Sequence, residues 1–225
     1  MKKVVSSVIL VVMTMASISA QNIFFPTKEG LTLVYANLDA KGKADSYVRR
    51  TIRKVEGSDN NLSISYITQT LDKNHKPVDD NLVEVPYTAT ISNGVLELDM
   101  KSFATSRTKK FIEIEGDKIR IPSTLAPGDK LDDAKFILTV NMGFKIKVDV
   151  SLTEQECLVI EEVTVPAGTF KCYKVTQTST AAVMRKTITN KIVTWYAPGI
   201  GSVKSETYNE KGKLQTTVEL QSQEG

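Results

Sequence analysis

The stretch FILTVNMGFKIKVDV, Phe136 to Val150, alternates apolar and polar residues on both sides of Asn141-Met142-Gly143. A period of two is the pattern of a half-buried strand, whose successive side chains point to opposite faces. Two such runs joined by a short segment containing Gly predict an antiparallel hairpin. A loop at Asn141-Met142-Gly143 sets Val140 against Phe144, Leu138 against Ile146 and Phe136 against Val148, with Gly143 at a left-handed bulge position. Sliding the pairing by one residue sets Val140 against Lys145, so the apolar pattern selects its own register.

The same test works outward along the chain. Between Phe111 and Pro122, a turn at Gly116-Asp117 predicts Ile114 opposite Ile119 and Ile112 opposite Ile121, with Glu113 facing Arg120 and Glu115 facing Lys118. Asn93-Gly94, a strong two-residue turn signal, predicts Ile91 opposite Leu96 and Ala89 opposite Leu98. A corner at Pro166-Ala167-Gly168-Thr169 predicts Val165 opposite Phe170, Val163 opposite Cys172 and Glu161 opposite Lys174. Turns are also readable at Asp39-Ala40-Lys41-Gly42-Lys43 and Asn209-Glu210-Lys211-Gly212-Lys213. No segment keeps a helical period over the length a stable helix needs; only Asp99 to Lys109 admits a short turn or two. The expected fold is all-β: a single antiparallel domain over 21–225 built from consecutive hairpins, with little helix.

The first twenty residues read differently. Lys2 and Lys3 precede an uncharged apolar run from Val4 to Met15 and the small-residue stretch Ala16 to Ala20, the order of a secretory signal peptide. Cleavage after Ala20 is expected, with the cut after Ser19 as the alternative because Ile18 is bulky. No cysteine follows the apolar run, so a lipid-modified N-terminus is not indicated. No later apolar stretch is long enough to span a bilayer, so no stable membrane insertion is expected after signal removal. The expected location is periplasmic or extracellular. The formal charge of +3, with both signs interspersed, makes no field that would gather nucleic acid or anionic lipid. Arg49, Arg50, Arg53 and Lys54 form one dense basic stretch, read as the solvated side of a strand flanked by Asp45 and Glu56.

Export favours a disulfide between Cys157 and Cys172 on compartment grounds. In the predicted corner register, however, Cys172 faces Val163, roughly 20 Å along the strand from Cys157. A disulfide tolerates only about 4.4–6.8 Å between Cα atoms. Two free thiols are therefore expected, unless a bend or bulge lies between Cys157 and Val163.

Several motifs together resemble a known family. PSTLAPGDKLDDA (Pro122 to Ala134), VTVPAGTFKCYKV (Val163 to Val175), WYAPGIGSVKSETYNEKGKL (Trp195 to Leu214) and FFPTKEGLTLVY (Phe24 to Tyr35) look like the TapB-like family of exported bacterial envelope proteins of unknown function. The resemblance runs from about Asn22 to the C-terminus. It implies an antiparallel β fold, a curved sheet or partly open β-barrel, in the envelope of a Gram-negative bacterium resembling the Bacteroides group, and it brings no catalytic residues to carry over.

Catalysis finds little support in the residues themselves. The single histidine, His75, sits in Lys73-Asn74-His75-Lys76-Pro77 and reads as an exposed loop tip; nothing positions a serine near it, and no Gly-x-Ser-x-Gly occurs. One histidine and two distant cysteines lack the usual zinc spacings. APGIGSVK, Ala197 to Lys204, lacks the spacing of a phosphate loop and reads as a Pro-Gly turn. Trp195 and Tyr196 should lie on opposite faces of their strand, one ring in the core and the other nearer the surface. Paired carboxylates occur at Asp79-Asp80, Asp132-Asp133, Glu154 with Glu156, and Glu161-Glu162. Of these, Glu154 and Glu156 share a strand face and could reach the ~5–9.5 Å separation of a glycosidase pair, whereas Glu161 and Glu162 cannot act together.

No catalytic or metal-binding residue is therefore assigned, no cofactor is expected, and the binding residues are left open. The preferred reading is a non-enzymatic periplasmic or envelope protein that binds an apolar small molecule or a protein partner on a curved sheet. If the interior is hollow, Phe136, Leu138, Val140, Phe144, Ile146 and Val148 would line it; ordinary core packing is the competing account. The alternatives are a structural or assembly module without ligand, and a hydrolase of envelope polysaccharide or peptide acting through Glu154 or Asp133.

Overall fold

The computed structural model describes residues 22–78, 87–103, 111–141 and 143–225. The signal segment, Asp79-Asp80 and Met142 lie outside the described residues. The strands are β1 (Thr32–Asp39), β2 (Ala44–Ser58), β3 (Asn61–Leu71), β4 (Tyr87–Ser92), β5 (Val95–Leu98), β6 (Ile112–Gly116) and β7 (Ile119–Pro122). They continue as β8 (Ala134–Asn141), β9 (Lys145–Val165), β10 (Gly168–Val183), β11 (Lys186–Ala197), β12 (Gly201–Asn209) and β13 (Leu214–Glu224). All thirteen form one antiparallel sheet, strongly curled into a half-barrel, in the order β6-β8-β9-β10-β11-β12-β13-β1-β2-β3-β4-β5-β7. One 3-10 turn, Met100–Phe103, lies at the start of the segment where helix was tolerated, and residues 104–109 of that segment are outside the described residues. Among the described residues no helix is long and apolar enough to cross a membrane.

The Asn93-Gly94 hairpin has the predicted register, with Ile91 opposite Leu96 and Ala89 opposite Leu98. Asn93 and Gly94 both carry positive φ, as a two-residue turn matched to strand twist requires. Two other hairpins exist but slide by two residues. In β8–β9, Val140 faces Ile146, Leu138 faces Val148 and Phe136 faces Val150, so Phe144 moves out to the tip, where it is 65% exposed. At the Pro-Ala corner, Val165 faces Gly168, Val163 faces Phe170 and Glu161 faces Cys172. A slip of two preserves which face every side chain occupies, so apolar still meets apolar. Turn geometry then decides between the registers, and Gly168, at φ 136°, lets β10 begin directly after Ala167.

The predicted Gly116-Asp117 hairpin does not form. β6 pairs with β8, Ile114 opposite Leu138 and Ile112 opposite Val140, while β7 pairs with β5, Ile121 opposite Leu96 and Arg120 opposite Glu97. The non-local partners offer the same apolar matching as the local ones, and Glu97 receives both Arg120 and Lys118, while Glu113 and Glu115 face Thr139 and Ile137. Two strands consecutive in sequence thus become the two free edges of the sheet. Gly116 makes the crossing: a Cβ there would lie 2.4 Å from the Lys135 carbonyl oxygen and 2.5 Å from the Phe136 Cα. The chain can pass this close to β8 only without a side chain.

Three loops on one rim share a single closing device. Asp39, Asp72 and Asn209 each accept hydrogen bonds at Oδ1 from the N–H groups two and four residues on. In each, the residue three places on adopts positive φ: Gly42, His75 and Gly212. The side-chain oxygen satisfies backbone donors that a tight loop would otherwise leave bare.

The principal core fills one end of the half-barrel. Phe24 and Phe25 fold in beneath the strands, Phe24 edge-on to Tyr173 at 5.0 Å and Phe25 against Tyr66 at 5.2 Å. The Ile23 carbonyl accepts from Gly199 N–H at 2.7 Å, tying this plug to the Pro-Gly turn. A smaller core of Ile114, Ala134, Phe136 and Leu152 lies beside the β6 edge. Cys157 and Cys172 are buried free thiols. A register shift after Lys174 sets Cys157 opposite Val175 while Cys172 stays opposite Glu161, so the irregularity does not bring them together.

Candidate functional site

The concave face encloses a cavity of about 460 Å³. Its lining divides along the sheet. Towards the two free edges the wall is apolar: Leu98 of β5, Ile119 of β7, Phe136 of β8 and Leu152 of β9, with Met100 beside them. Across from these, the strands in the middle of the sheet present neutral polar groups, including Asn37, Gln177, Ser179, Thr194 and Ser205. The Phe24-Phe25 plug contributes as well.

Among the described residues lining the cavity, Arg50 is the only charged one. Strand alternation puts it there: Val48 and Arg50 line the cavity and fully buried Ile52 continues the same face. The guanidinium carbon lies 5.5 Å from the Phe25 ring, 5.6 Å from Tyr35 and 5.3 Å from Tyr66. Its Nε is buried without a hydrogen-bond partner, and so is the Tyr35 hydroxyl. Burial raises the Tyr35 hydroxyl pKa, against the opposing pull of Arg50, and burial pushes Tyr196 up to about 12, so both phenols stay neutral donors. Reading the Arg49-Arg50-Arg53-Lys54 run as wholly solvated was therefore wrong for Arg50. The signal was present in Val48-x-Arg50-x-Ile52: one cation sharing parity with two aliphatic residues.

The expected lining was also wrong in detail. Of the six residues Phe136, Leu138, Val140, Phe144, Ile146 and Val148, only Phe136 faces the cavity. β9 runs for 21 residues and its first part extends beyond the hollow, so Leu152, not Val148, reaches it.

Trp195 and Tyr196 lie on opposite faces, as alternation demands. Tyr196 lines the cavity, while Trp195 borders a convex hollow of about 500 Å³ with Lys174, Glu206 and Tyr208. There Trp195 Nε1–H donates to Glu161 at 2.6 Å, and Lys174 and Lys204 sit 5.1 and 5.3 Å from its ring. Lys174 pairs with Glu161 at 3.3 Å and Lys204 with Glu206 at 2.7 Å. The Trp195 hydrogen bond, with that of Lys174, holds the Glu161 carboxyl below its ordinary range. Burial would raise Glu206, but the bonds from Lys204 and Tyr208 prevail and lower it.

The remaining sequence candidates disperse. His75 is at an exposed loop tip, in the position where the two sister loops have glycine, and stacks on Tyr47 at 3.9 Å. Glu154 and Glu156 do not share one uninterrupted face: a register shift separates them, Glu154 accepting from Thr178 at 2.6 Å and Glu156 lying opposite Thr176. Asp132 and Asp133 border a polar hollow of about 400 Å³ with Glu97, Lys118 and Arg120. Bonds from Lys118 and Arg120 hold Glu97 below its ordinary range, which keeps it ionised and unsuited to donate a proton. Among the described residues no group of three or more His, Cys, Asp or Glu is placed to hold a metal.

The comparisons with known proteins agree with this architecture. A Bacteroides fragilis protein designated as exported, with a YmcC-like fold, is 26% identical, with a TM-score of 0.75 over 90% of this chain and 99% of its own. A Parabacteroides distasonis protein designated a lipoprotein is 23% identical, with a TM-score of 0.76 over the same shares, and shows the fold alone. No curated protein matches the chain. The DUF3108-like family matches residues 28–220, which include the plug-to-β1 connection, the Gly116 crossing, Arg50 and the Pro-Ala corner, and the chain belongs to that family.

Proposed function

We propose that this protein is a non-enzymatic envelope protein that holds an apolar small molecule in the curl of its sheet. The observation that carries the reading is the concave cavity of about 460 Å³, apolar along the free edges and bordered elsewhere by neutral polar groups. Its size falls in the ~300–1,000 Å³ range of small-molecule sites, and a mostly apolar wall with a few orienting polar groups is their usual composition. The register shift between Glu154 and Glu156 and the place of His75 at an exposed loop tip support a non-catalytic reading. The exported designation of the Bacteroides fragilis relative supports a periplasmic or extracellular setting. The motifs at Pro122 to Ala134 and Trp195 to Leu214 support the narrower TapB-like grouping.

Titration of the purified protein with a fluorescent fatty acid tests this. Saturable signal, displaced by unlabelled ligand, is expected. A flat or non-displaceable response overturns the reading.

A further inference from the structure

Resting on that reading, we infer that the cavity selects ligands with an oxyanion head, a carboxylate or a phosphate monoester, held by Arg50, with the apolar portion directed towards Leu98, Ile119 and Phe136. A guanidinium keeps its proton at any pH the protein meets, so it cannot shed its charge on burial as a lysine can. Its Nε–H is inside the molecule without an acceptor. The rings of Phe25, Tyr35 and Tyr66 lie close enough to hem it in and to stabilise the cation through their faces. They supply no counter-charge, and the Tyr35 hydroxyl makes no hydrogen bond to the Nε–H.

The described wall supplies no counter-charge elsewhere, because it contains no Asp or Glu. Its polar residues are amides and hydroxyls, able to solvate a head group but not to neutralise Arg50. A planar fork of N–H donors matches two oxygens of one carboxylate or phosphate, the geometry that makes such pairs strong and directional. The apolar arc lies on strands near both free edges, whereas Arg50 is on β2. The cavity is therefore amphipathic along its length, cationic at one side and greasy at the other. Tyr35, whose hydroxyl is also unpartnered, stands beside the guanidinium as a second donor to the same head.

The experiment compares four probes with one dodecyl chain: dodecanoate, dodecyl phosphate, dodecanol and dodecyltrimethylammonium, each displacing the fluorescent fatty acid from the full chain at low salt. At least one anionic probe is expected to bind about tenfold or more tighter than dodecanol, and the cationic probe weakest, a tenfold ratio being about 1.4 kcal/mol. The tighter of the two anions identifies the head. Arg50→Met should abolish the preference, bringing the anions within about twofold of dodecanol, and Arg50→Lys should retain only part of it because the fork is lost. Equal affinities for all four probes in the unmodified protein, or an anion preference that survives Arg50→Met, overturns the assignment to Arg50 and leaves the cavity reading standing. Failure of all four to bind overturns the cavity reading itself. The series on the unmodified protein decides the matter even if a variant does not fold.

Discussion

On the convex face, two lysines approach one tryptophan ring at 5.1 and 5.3 Å, and each has its own carboxylate, Glu161 or Glu206. On the concave face, one arginine lies among three rings at 5.3 to 5.6 Å and has none in the cavity wall. The chemistry of cation and aromatic ring is the same on both faces of one sheet. The difference lies in what neutralises the charge. A cluster that only stabilises the fold can complete its charges internally, at a partly exposed surface where the desolvation cost is modest. A partly buried cation turned into a hollow without a counter-charge carries a desolvation cost, which an anion in the hollow would offset. The contrast separates a cluster neutralised from within from a cation that has no counter-charge in its cavity wall.

The contrast depends on the curl, so its most drastic test is to undo the curl. Gly116→Ala places a Cβ against backbone atoms of Lys135 and Phe136, and should lower stability by about 3 kcal/mol, since backbone cannot yield as a side-chain end can. Gly42→Ala, with open space around its Cβ, should cost only about 1 kcal/mol through positive φ. Urea unfolding measures both; equal losses would mean that the crossing does not tie the edges together.

The next test sharpens the comparison through pH. Glu161 and Glu206 have folded pKa values below their ordinary 4.5. The unfolded chain then binds more protons in acid, so their contribution is present above the ordinary carboxylate range and lost as pH falls through the folded values. Melting temperature followed from pH 7 to pH 3 should decline less steeply in the Glu161→Gln/Glu206→Gln variant, which starts lower at neutral pH. Arg50→Met should leave the acid decline unchanged, because the described cavity wall holds no carboxylate to pair with Arg50.

The smallest effect is the most diagnostic. Without ligand, Arg50→Met should leave stability unchanged or raise it by about 1 kcal/mol, since replacing a partly buried cation that has no counter-charge in the cavity wall with an apolar chain removes a desolvation cost. A loss above about 2 kcal/mol in the same urea assay would make Arg50 a structural residue like Lys174 and erase the distinction between the faces.

Much of this molecule was legible from side-chain parity. Every hairpin read from alternation at Asn93-Gly94, Phe136–Val150 and the Pro-Ala corner exists, and the faces of their residues are as read. Two registers slid by two because parity is blind to a slip of two and only turn conformation distinguishes the alternatives. Phe144 shows the consequence, leaving the expected lining for an exposed tip. Arg50 was misjudged for a different reason. Charge density along the chain suggested solvent, although Val48 and Ile52 on either side placed it with the interior. The loops at Asp39 and Asn209 were legible as turns, but their shared side-chain closure became visible only when Asp72 joined them with His75 in the glycine position.

Alternation and turn chemistry alone determined that this chain folds into antiparallel strands, because the period of two is imposed by the backbone of each strand and needs no distant partner. Tertiary structure alone decided that β6 and β7 part company to become opposite edges and that Arg50 is left facing a hollow. Strands distant in sequence match Ile114, Ile119 and Arg120 as well as their neighbours do. When local and remote pairings are equally complementary, the choice falls to whichever closes the whole sheet around its core.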